Sequence, residues 1–304
     1  MGSSSLYTIT LIPSEVSFEA SSDLSLLDSA LKSKVILPYS CNNGACDTCE
    51  VEVFDEKDGL KSKKVLSCQF KPESDLKVRA DYFPELESSK VITSPSKVNQ
   101  YSSPVDDIAV LTLRLPPKVK FDFLPGQYID LKLQGVSRSY SIASLPNDEN
   151  ILELHLKNVP EGVMSSKIFK PVTPNQLMQI EGPKGTFFLR DRSAETIVFL
   201  ATGTGFAPVK SMVSQLISEG YPGQIFIYWG NRTKELFYDD CPNEWQKKHD
   251  NIVYQPCLSQ PDKEWDKYEG YIQNCVLEDV LESSLYDLPN ADVYACGSNS
   301  MILS

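Results

Sequence analysis

The sequence predicts a multidomain chain of mixed class, in which a small α+β domain precedes an antiparallel β-barrel and an α/β domain with a parallel sheet. Three observations predict it. Four cysteines crowd into residues 41–68 among strand-like alternations and one short helical segment. From Val91 to about Arg190, short apolar alternations recur with Pro and Gly between them, the rhythm of a small antiparallel barrel. Beyond it, Thr196–Ala201, Gln224–Trp229, Asn251–Gln255 and Ala291–Ala295 are short apolar runs separated by helical stretches, as parallel strands with crossover helices require. The expected domains are 1–90, 91–192 and 193–304.

In the first domain, residues 6–12 and 15–20 read as strands around Pro13 and Ser14. Ser25-Leu-Leu-Asp28 has the form of a capping box, opening a helix that buries Leu27, Ala30 and Leu31. Val51–Phe54 reads as a strand, residues 55–59 as a turn, and Glu85, Glu87, Ser88 and Ser89 as a polar linker. In the barrel the clearest strands are Ala109–Leu115, Tyr128–Leu133 and Ile151–Leu156. In the last domain a helix after Gly203 carries Val209, Val213, Leu216 and Ile217 on one face.

A chain of 304 residues, 41% hydrophobic and 23% charged, can bury three such cores, and no apolar run reaches the roughly 18 residues of a membrane span. Met1 to Thr10 lacks the basic and apolar regions of a secretory signal, so a cytoplasmic location is expected. With 29 basic against 41 acidic side chains, the net charge of −12 repels a polyanion and argues against nucleic acid as a partner. Eight cysteines in a reducing compartment point to metal or redox chemistry rather than to disulfides.

Their spacing carries that chemistry. Cys41, Cys46, Cys49 and, after 18 intervening residues, Cys68 follow the C-x4-C-x2-C…C order of plant-type [2Fe-2S] ligands. Three thiolates on a tight loop and a fourth from elsewhere can wrap a pair of irons, and Gly44 and Ala45 leave room for backbone amides near the sulfurs. Structural zinc is the competing reading, but its paired C-x2-C knuckles are matched only by Cys46 and Cys49. Cys241, Cys257 and Cys275 lack ligand spacing, His155 and His249 read as structural or solvated, and Asp239-Asp240 reads as a solvated face.

Two more elements suit nucleotides. Gly203-Thr-Gly-Phe-Ala-Pro208 lies between a strand and a helix, so Gly203, Thr204 and Gly205 would let the backbone approach a pyrophosphate, with Pro208 at the first helical position. Arg138-Ser-Tyr-Ser141, preceded by Pro125-Gly-Gln-Tyr128, offers a guanidinium for phosphate, a ring for stacking and a hydroxyl for hydrogen bonding.

Pro38-Tyr-Ser-Cys-Asn-Asn-Gly-Ala-Cys-Asp-Thr-Cys49, the Arg138–Ser141 element and the glycine turn, in that order, resemble the ferredoxin–NAD(P)H reductase family that carries an N-terminal plant-type [2Fe-2S] domain. Gly162-Val-Met-Ser-Ser166, Tyr228-Trp-Gly-Asn-Arg232 and Cys296-Gly-Ser-Asn-Ser-Met301 resemble further elements of that family. The resemblance covers nearly the whole chain. It implies a β-grasp-like ferredoxin domain, an antiparallel FAD barrel and a Rossmann-like nucleotide domain. It also implies Arg138 on the flavin pyrophosphate, Tyr140 on the isoalloxazine and Ser141 near N5. Gly162, Val163, Met164 and Ser165 would form a second phosphate turn at a helix N-terminus, Arg232 would belong to the nucleotide site, and Cys296 would lie beside the nicotinamide. Asp47 departs from the family's glycine or serine, and the gap to Cys68 is short; the carboxylate is expected to lower the cluster potential.

Within the family, the resemblance is greatest to reductases that serve a CDP-4-keto-6-deoxyglucose 3-dehydrase, while reductase components of hydroxylases and oxygenases share the layout. It implies that electrons pass from NAD(P)H through FAD and the cluster to a partner protein docked on the ferredoxin domain. A carrier or redox sensor that keeps the cluster without using a nicotinamide is the reading from another class. No basic cluster beyond Arg232 and Lys234 follows the second parallel strand, and Glu235 is close by, so NADH is favoured over NADPH. The family continues past this chain's last residue, so the nucleotide domain is expected to be incomplete at its C-terminus, with a helix beginning at Met301.

Overall fold

The computed structural model describes residues 5–55, 62–87, 89–170, 172–190, 192–281 and 290–302. The chain forms two compact units, one of residues 1–90 with 184–187, the other of residues 91–183 with 188–304.

In the first unit β1 (Leu6–Ile12), β2 (Ser17–Ser21), β3 (Glu50–Asp55), β4 (Ser62–Leu66) and β5 (Leu76–Arg79) form a sheet of order β2-β1-β5-β3-β4. Only β1 and β5 run parallel among its described pairs. β2 starts later than expected because Glu15, at φ 59°, is spent on the turn. Helix α1 (Leu26–Lys32) has the expected cap: Asp28 N–H donates to Ser25 Oγ at 3.0 Å, and that hydroxyl donates to Asp28 Oδ2 at 2.7 Å. Leu26, Leu27 and Ala30 are buried against Ile9, Leu11 and Val78, while Leu31 is half-buried. β3 runs through Asp55, the first residue of the expected turn, and residues 56–59 of that turn lie outside the described residues, as does Ser88 of the expected linker. That linker is not wholly solvated, because Leu86 of the Pro84–Leu86 turn is buried.

In the second unit β6 (Ile92–Val105), β7 (Ile108–Arg114), β8 (Tyr128–Leu133), β9 (Val136–Ser141), β10 (Ile151–Lys157) and β11 (Leu177–Lys184) form an antiparallel sheet of order β10-β7-β6-β11-β8-β9. A bridge from Ile142 to Leu154 joins its two ends and curls it into a barrel. Inward residues such as Leu111, Leu113, Ile129 and Leu131 fill it, with α2 (Ser165–Ile168) sealing one end through Ile168.

The same unit continues into a parallel sheet of order β15-β14-β13-β12-β16, built from β12 (Thr196–Thr202), β13 (Gln224–Asn231), β14 (Ile252–Leu258), β15 (Tyr268–Glu269) and β16 (Ala291–Cys296). Its central strands are near-continuous apolar runs because helices cover the sheet. These helices are α3 (Phe206–Ser218), α4 (Cys241–Lys248), α5 (Ile272–Leu281) and the short α6 (Asn299–Ile302). Val209, Val213 and Leu216 of α3 are fully buried, with Ile217 at the margin. Because α3 begins at Phe206, Pro208 sits third rather than first; it is tolerated there because first-turn N–H groups have no acceptor within the helix. Likewise α6 starts at Asn299, two residues before Met301.

Candidate iron–sulfur, flavin and nucleotide sites

The four cysteines gather on the loop between α1 and β3 and just past β4. Cys49 and Cys68 are buried with their Sγ atoms 3.2 Å apart, and Cys41 and Cys46 are half-buried; none forms a disulfide. Backbone donors aim at sulfur, since Cys41 N–H reaches Cys46 Sγ at 3.4 Å and Ala45 N–H reaches Cys41 Sγ at 3.3 Å. Gly44 points its amide at Cys68 Sγ from a backbone at φ 81°, where a Cβ would press on Gln69. Burial, then the adjoining Cys49, pushes the Cys68 thiol up to about 11. At Cys41 burial pushes the same way but is outweighed by backbone amides, which hold the thiol below its ordinary value. Soft sulfur donors with amides directed at them fit a [2Fe-2S] cluster. Asp47 is exposed with φ 53°, so its carboxylate faces water and the expected effect on the cluster is screened.

On the barrel, β9 carries Arg138, Tyr140 and Ser141. Arg138 is exposed and rests on Ser137 O at 2.7 Å; Tyr140 is half-buried against the core, and burial pushes its phenol up to about 12 against the pull of Arg138. The Pro125–Tyr128 turn is stitched to the end of β9, because Ile142 N–H donates to Gln127 O at 3.0 Å and Leu124 N–H to Gln127 Oε1 at 2.9 Å. Gly162 also sits where only glycine fits: a Cβ there would lie 2.8 Å from Val159 O. The helix expected after it is a single turn, with Met164 and Ser165 buried and Val163 exposed, and so offers little dipole.

At the end of β12, Gly203–Gly205 form a 3-10 turn, with Gly203 at φ 53°. Here β12 and β16 close on each other. A Cβ on Gly205 would lie 2.2 Å from Cys296 O, a Cβ on Gly297 2.0 Å from Thr202 Oγ1, and Ser298 N–H donates to Thr202 Oγ1 at 3.1 Å. The crevice lies where strand order reverses about β12, the usual nucleotide position in open parallel sheets. Trp229 stacks on Phe206 with centroids 4.1 Å apart and donates Nε1–H to Gly203 O at 3.0 Å. Burial pushes the Cys296 thiol up to about 11. Gly205 and Cys296 therefore meet, Pro208 is packed inside α3, and Arg232 stands exposed after β13.

Three family models match in the order these sites occur: a 2Fe-2S iron-sulfur cluster binding domain over residues 9–73, an oxidoreductase FAD-binding domain over 95–189 and an oxidoreductase NAD-binding domain over 199–304. Protein RfbI of Salmonella typhimurium is 43% identical over 97% of this chain and 90% of its own length. The CDP-6-deoxy-L-threo-D-glycero-4-hexulose-3-dehydrase reductase of Yersinia pseudotuberculosis is 41% identical over 97% and 91%. This chain belongs to the ferredoxin–NAD(P)H reductase family. The reductase is an NAD(P)H-dependent oxidoreductase with [2Fe-2S], FAD and NAD domains. Its fold is shared by the ferredoxin reductase of carbazole 1,9a-dioxygenase, with a TM-score of 0.70 at 24% identity over 99% of this chain and 93% of that one. Among the described residues, no helix is long and apolar enough to cross a membrane.

The reductase also holds a partly buried polar cluster that motif reading missed. Ligand atoms of Glu153, His155 and Asp239 lie within 4.8 Å of one another, as at a metal site. Lys210 already supplies the cation: its Nζ is 2.8 Å from Glu153 Oε1 and 2.7 Å from Asp239 Oδ2. Burial opposes the Glu153 carboxylate, but His155 and Lys210 outweigh it and hold the group down at about 2. Asp239 is thus paired, not a solvated face, while Asp240 is exposed as expected. The available signal was Lys210 itself, a cation within the apolar run Phe206–Val213.

Proposed function

We propose that the reductase draws electrons from NADH and delivers them to a CDP-4-keto-6-deoxyglucose 3-dehydrase in the cytoplasm. The observation that carries this reading is the near-full-length similarity to a dehydrase reductase. When bound, FAD supplies two-electron acceptance from a nicotinamide and the cluster supplies one-electron relay. The residues prepare each site. Arg138 would pair with the flavin pyrophosphate, Tyr140 would stack on the ring, Ser141 would hydrogen-bond near N5, and Gly162, Val163, Met164 and Ser165 would shape the second phosphate turn. Gly203, Thr204 and Gly205, braced by Pro208 in the first turn of α3, would take the nucleotide pyrophosphate, with Arg232 in the nucleotide site and Cys296 beside the nicotinamide. Cys41, Cys46, Cys49 and Cys68 hold the irons, and the partner docks near the ferredoxin domain.

The test is reconstitution. NADH, this protein and a CDP-4-keto-6-deoxyglucose 3-dehydrase should turn over together, and omission of the reductase should stop the reaction. Reductase activity toward a hydroxylase or oxygenase, with none toward the dehydrase, would favour the second reading. Failure of NADH to bleach the flavin anaerobically would leave only an electron carrier.

A further inference from the structure

Two neighbouring residues near the start of α3 grip the barrel at separate points. Ser211, fully buried, donates its hydroxyl to Ser144 O at 2.7 Å, three residues beyond Ser141. Lys210 donates to Glu153 on β10 and to Asp239 on the segment after β13, with all three side chains largely covered. The two gripped segments are themselves joined: Ala143 N–H donates to Glu153 O at 2.8 Å, and Glu153 N–H to Ser144 Oγ at 3.1 Å.

From this clasp an unbroken path leads to the nucleotide turn. His155 Nε2 lies 2.9 Å from Glu153 Oε1 and Nδ1 2.9 Å from Tyr238 OH. Tyr238 meets Trp229 edge-on at 5.1 Å, and Trp229 holds Gly203 O through its indole N–H. The strand end bearing Ser141 and the turn bearing Gly203 are therefore parts of one braced frame.

A partly buried ion pair contributes little net stability, because desolvation offsets attraction, but one ammonium held by two carboxylates ties α3 to β10 and to the segment after β13. Hydride transfer is sensitive to geometry, since reacting atoms must be held at near-contact distance. We propose that Lys210 and Ser211 are positioning residues for hydride transfer, setting the spacing between the Ser141 strand end and the Gly203–Gly205 turn through Glu153 and Ser144. This rests on the assignment of Ser141 to the flavin and of the glycine turn to the nucleotide.

The experiment compares holoenzyme of the wild type, Lys210→Met, Lys210→Arg and Ser211→Ala in anaerobic stopped-flow reduction by NADH. Saturation separates the limiting rate from Kd. On the same samples, flavin per chain, thermal midpoint and the long-wavelength charge-transfer absorbance of nicotinamide against flavin are read. Lys210→Met should lower the limiting rate about 10- to 100-fold and weaken the charge-transfer band, with Kd and flavin content nearly unchanged. Lys210→Arg should restore much of both, since the charge remains. Ser211→Ala leaves every charge in place and should lower the limiting rate several-fold, so the proposal stays testable if Lys210→Met does not fold. An unchanged limiting rate and band in folded variants overturns it, as does a rate loss that only follows lost flavin or a raised Kd. A wild type that NADH does not reduce overturns the nucleotide assignment, and this inference with it.

Discussion

The carbonyl oxygen of Cys296 occupies the space that any side chain on residue 205 would need, 2.2 Å from the position of a Cβ. The obstacle is backbone, so it cannot rotate away. Gly205→Ala must force the ends of β12 and β16 apart, an overpacking cost of roughly 1–3 kcal/mol. Reduction by NADH should fall sharply while the visible spectrum of the cluster persists. Normal reduction kinetics in this variant would show that the two strand ends part without consequence.

Gly44→Ala should act on the cluster alone. Its φ of 81° disfavours alanine, and the substitution would disturb an amide aimed at Cys68 Sγ. Iron and labile sulfide, expected at about two each per chain in the wild type, should drop, with FAD retained. By contrast, Asp47→Gly should relieve a left-handed backbone at φ 53° by up to about 1 kcal/mol. Because its carboxylate faces water, the reduction potential should rise only slightly, as redox titration can check.

Arg138→Ala removes an exposed guanidinium that donates to the neighbouring Ser137 carbonyl. FAD should be lost on gel filtration while the cluster remains. Full flavin retention would take Arg138 out of the flavin site.

Lys234, which with Arg232 follows directly on β13, is already engaged by Asp262 at 2.7 Å and Glu264 at 3.8 Å. A 2′-phosphate would have to compete with both carboxylates, so kcat/KM should be greater for NADH. Asp262→Ala should shift the ratio toward NADPH by less than about tenfold, because exposed pairs are weak. A wild-type preference for NADPH would reverse this reading.

Glu153 makes the second unit acid-sensitive. Its folded pKa of about 2 lies below the ordinary carboxylate value of 4.5, so its stabilisation is complete above about pH 4.5 and is lost as pH falls toward 2. Lys210, raised by Glu153 and Asp239 despite burial, stays charged throughout that window. Glu153→Gln should flatten the loss of thermal stability between those pH values, monitored by tryptophan fluorescence. An identical slope in both proteins would mean that the pair does not contribute.

Local signals were legible and long-range ones were not. Tyr128–Leu133 is a strand over the residues its alternation marks, and Ser25 caps α1 through a bond three residues long. The cysteine loop could be read because its spacing is itself local, and Cys68 arrives on the end of a hairpin. Lys210 could not be paired in advance: Glu153 and Asp239 lie 57 and 29 residues away, and nothing in either neighbourhood marks them as partners. Asp239 was read with Asp240 as surface for the same reason. Pro208 was misplaced by two positions because the 3-10 turn hands directly to α3 without a polar cap.

Residues 184–187 belong to the first compact unit although the chain reaches them only after the barrel's last strand. Thr186 is buried there, accepting from Tyr39 N–H at 3.1 Å and donating its own N–H to Tyr39 O at 3.3 Å, two residues before Cys41. The ferredoxin module is consequently not a detachable cassette. A gene fragment ending at residue 90 would lose Thr186, and with it the acceptor of Tyr39 N–H and a donor to Tyr39 O two residues before Cys41, so a graft of this module should be made with residues 184–187 supplied.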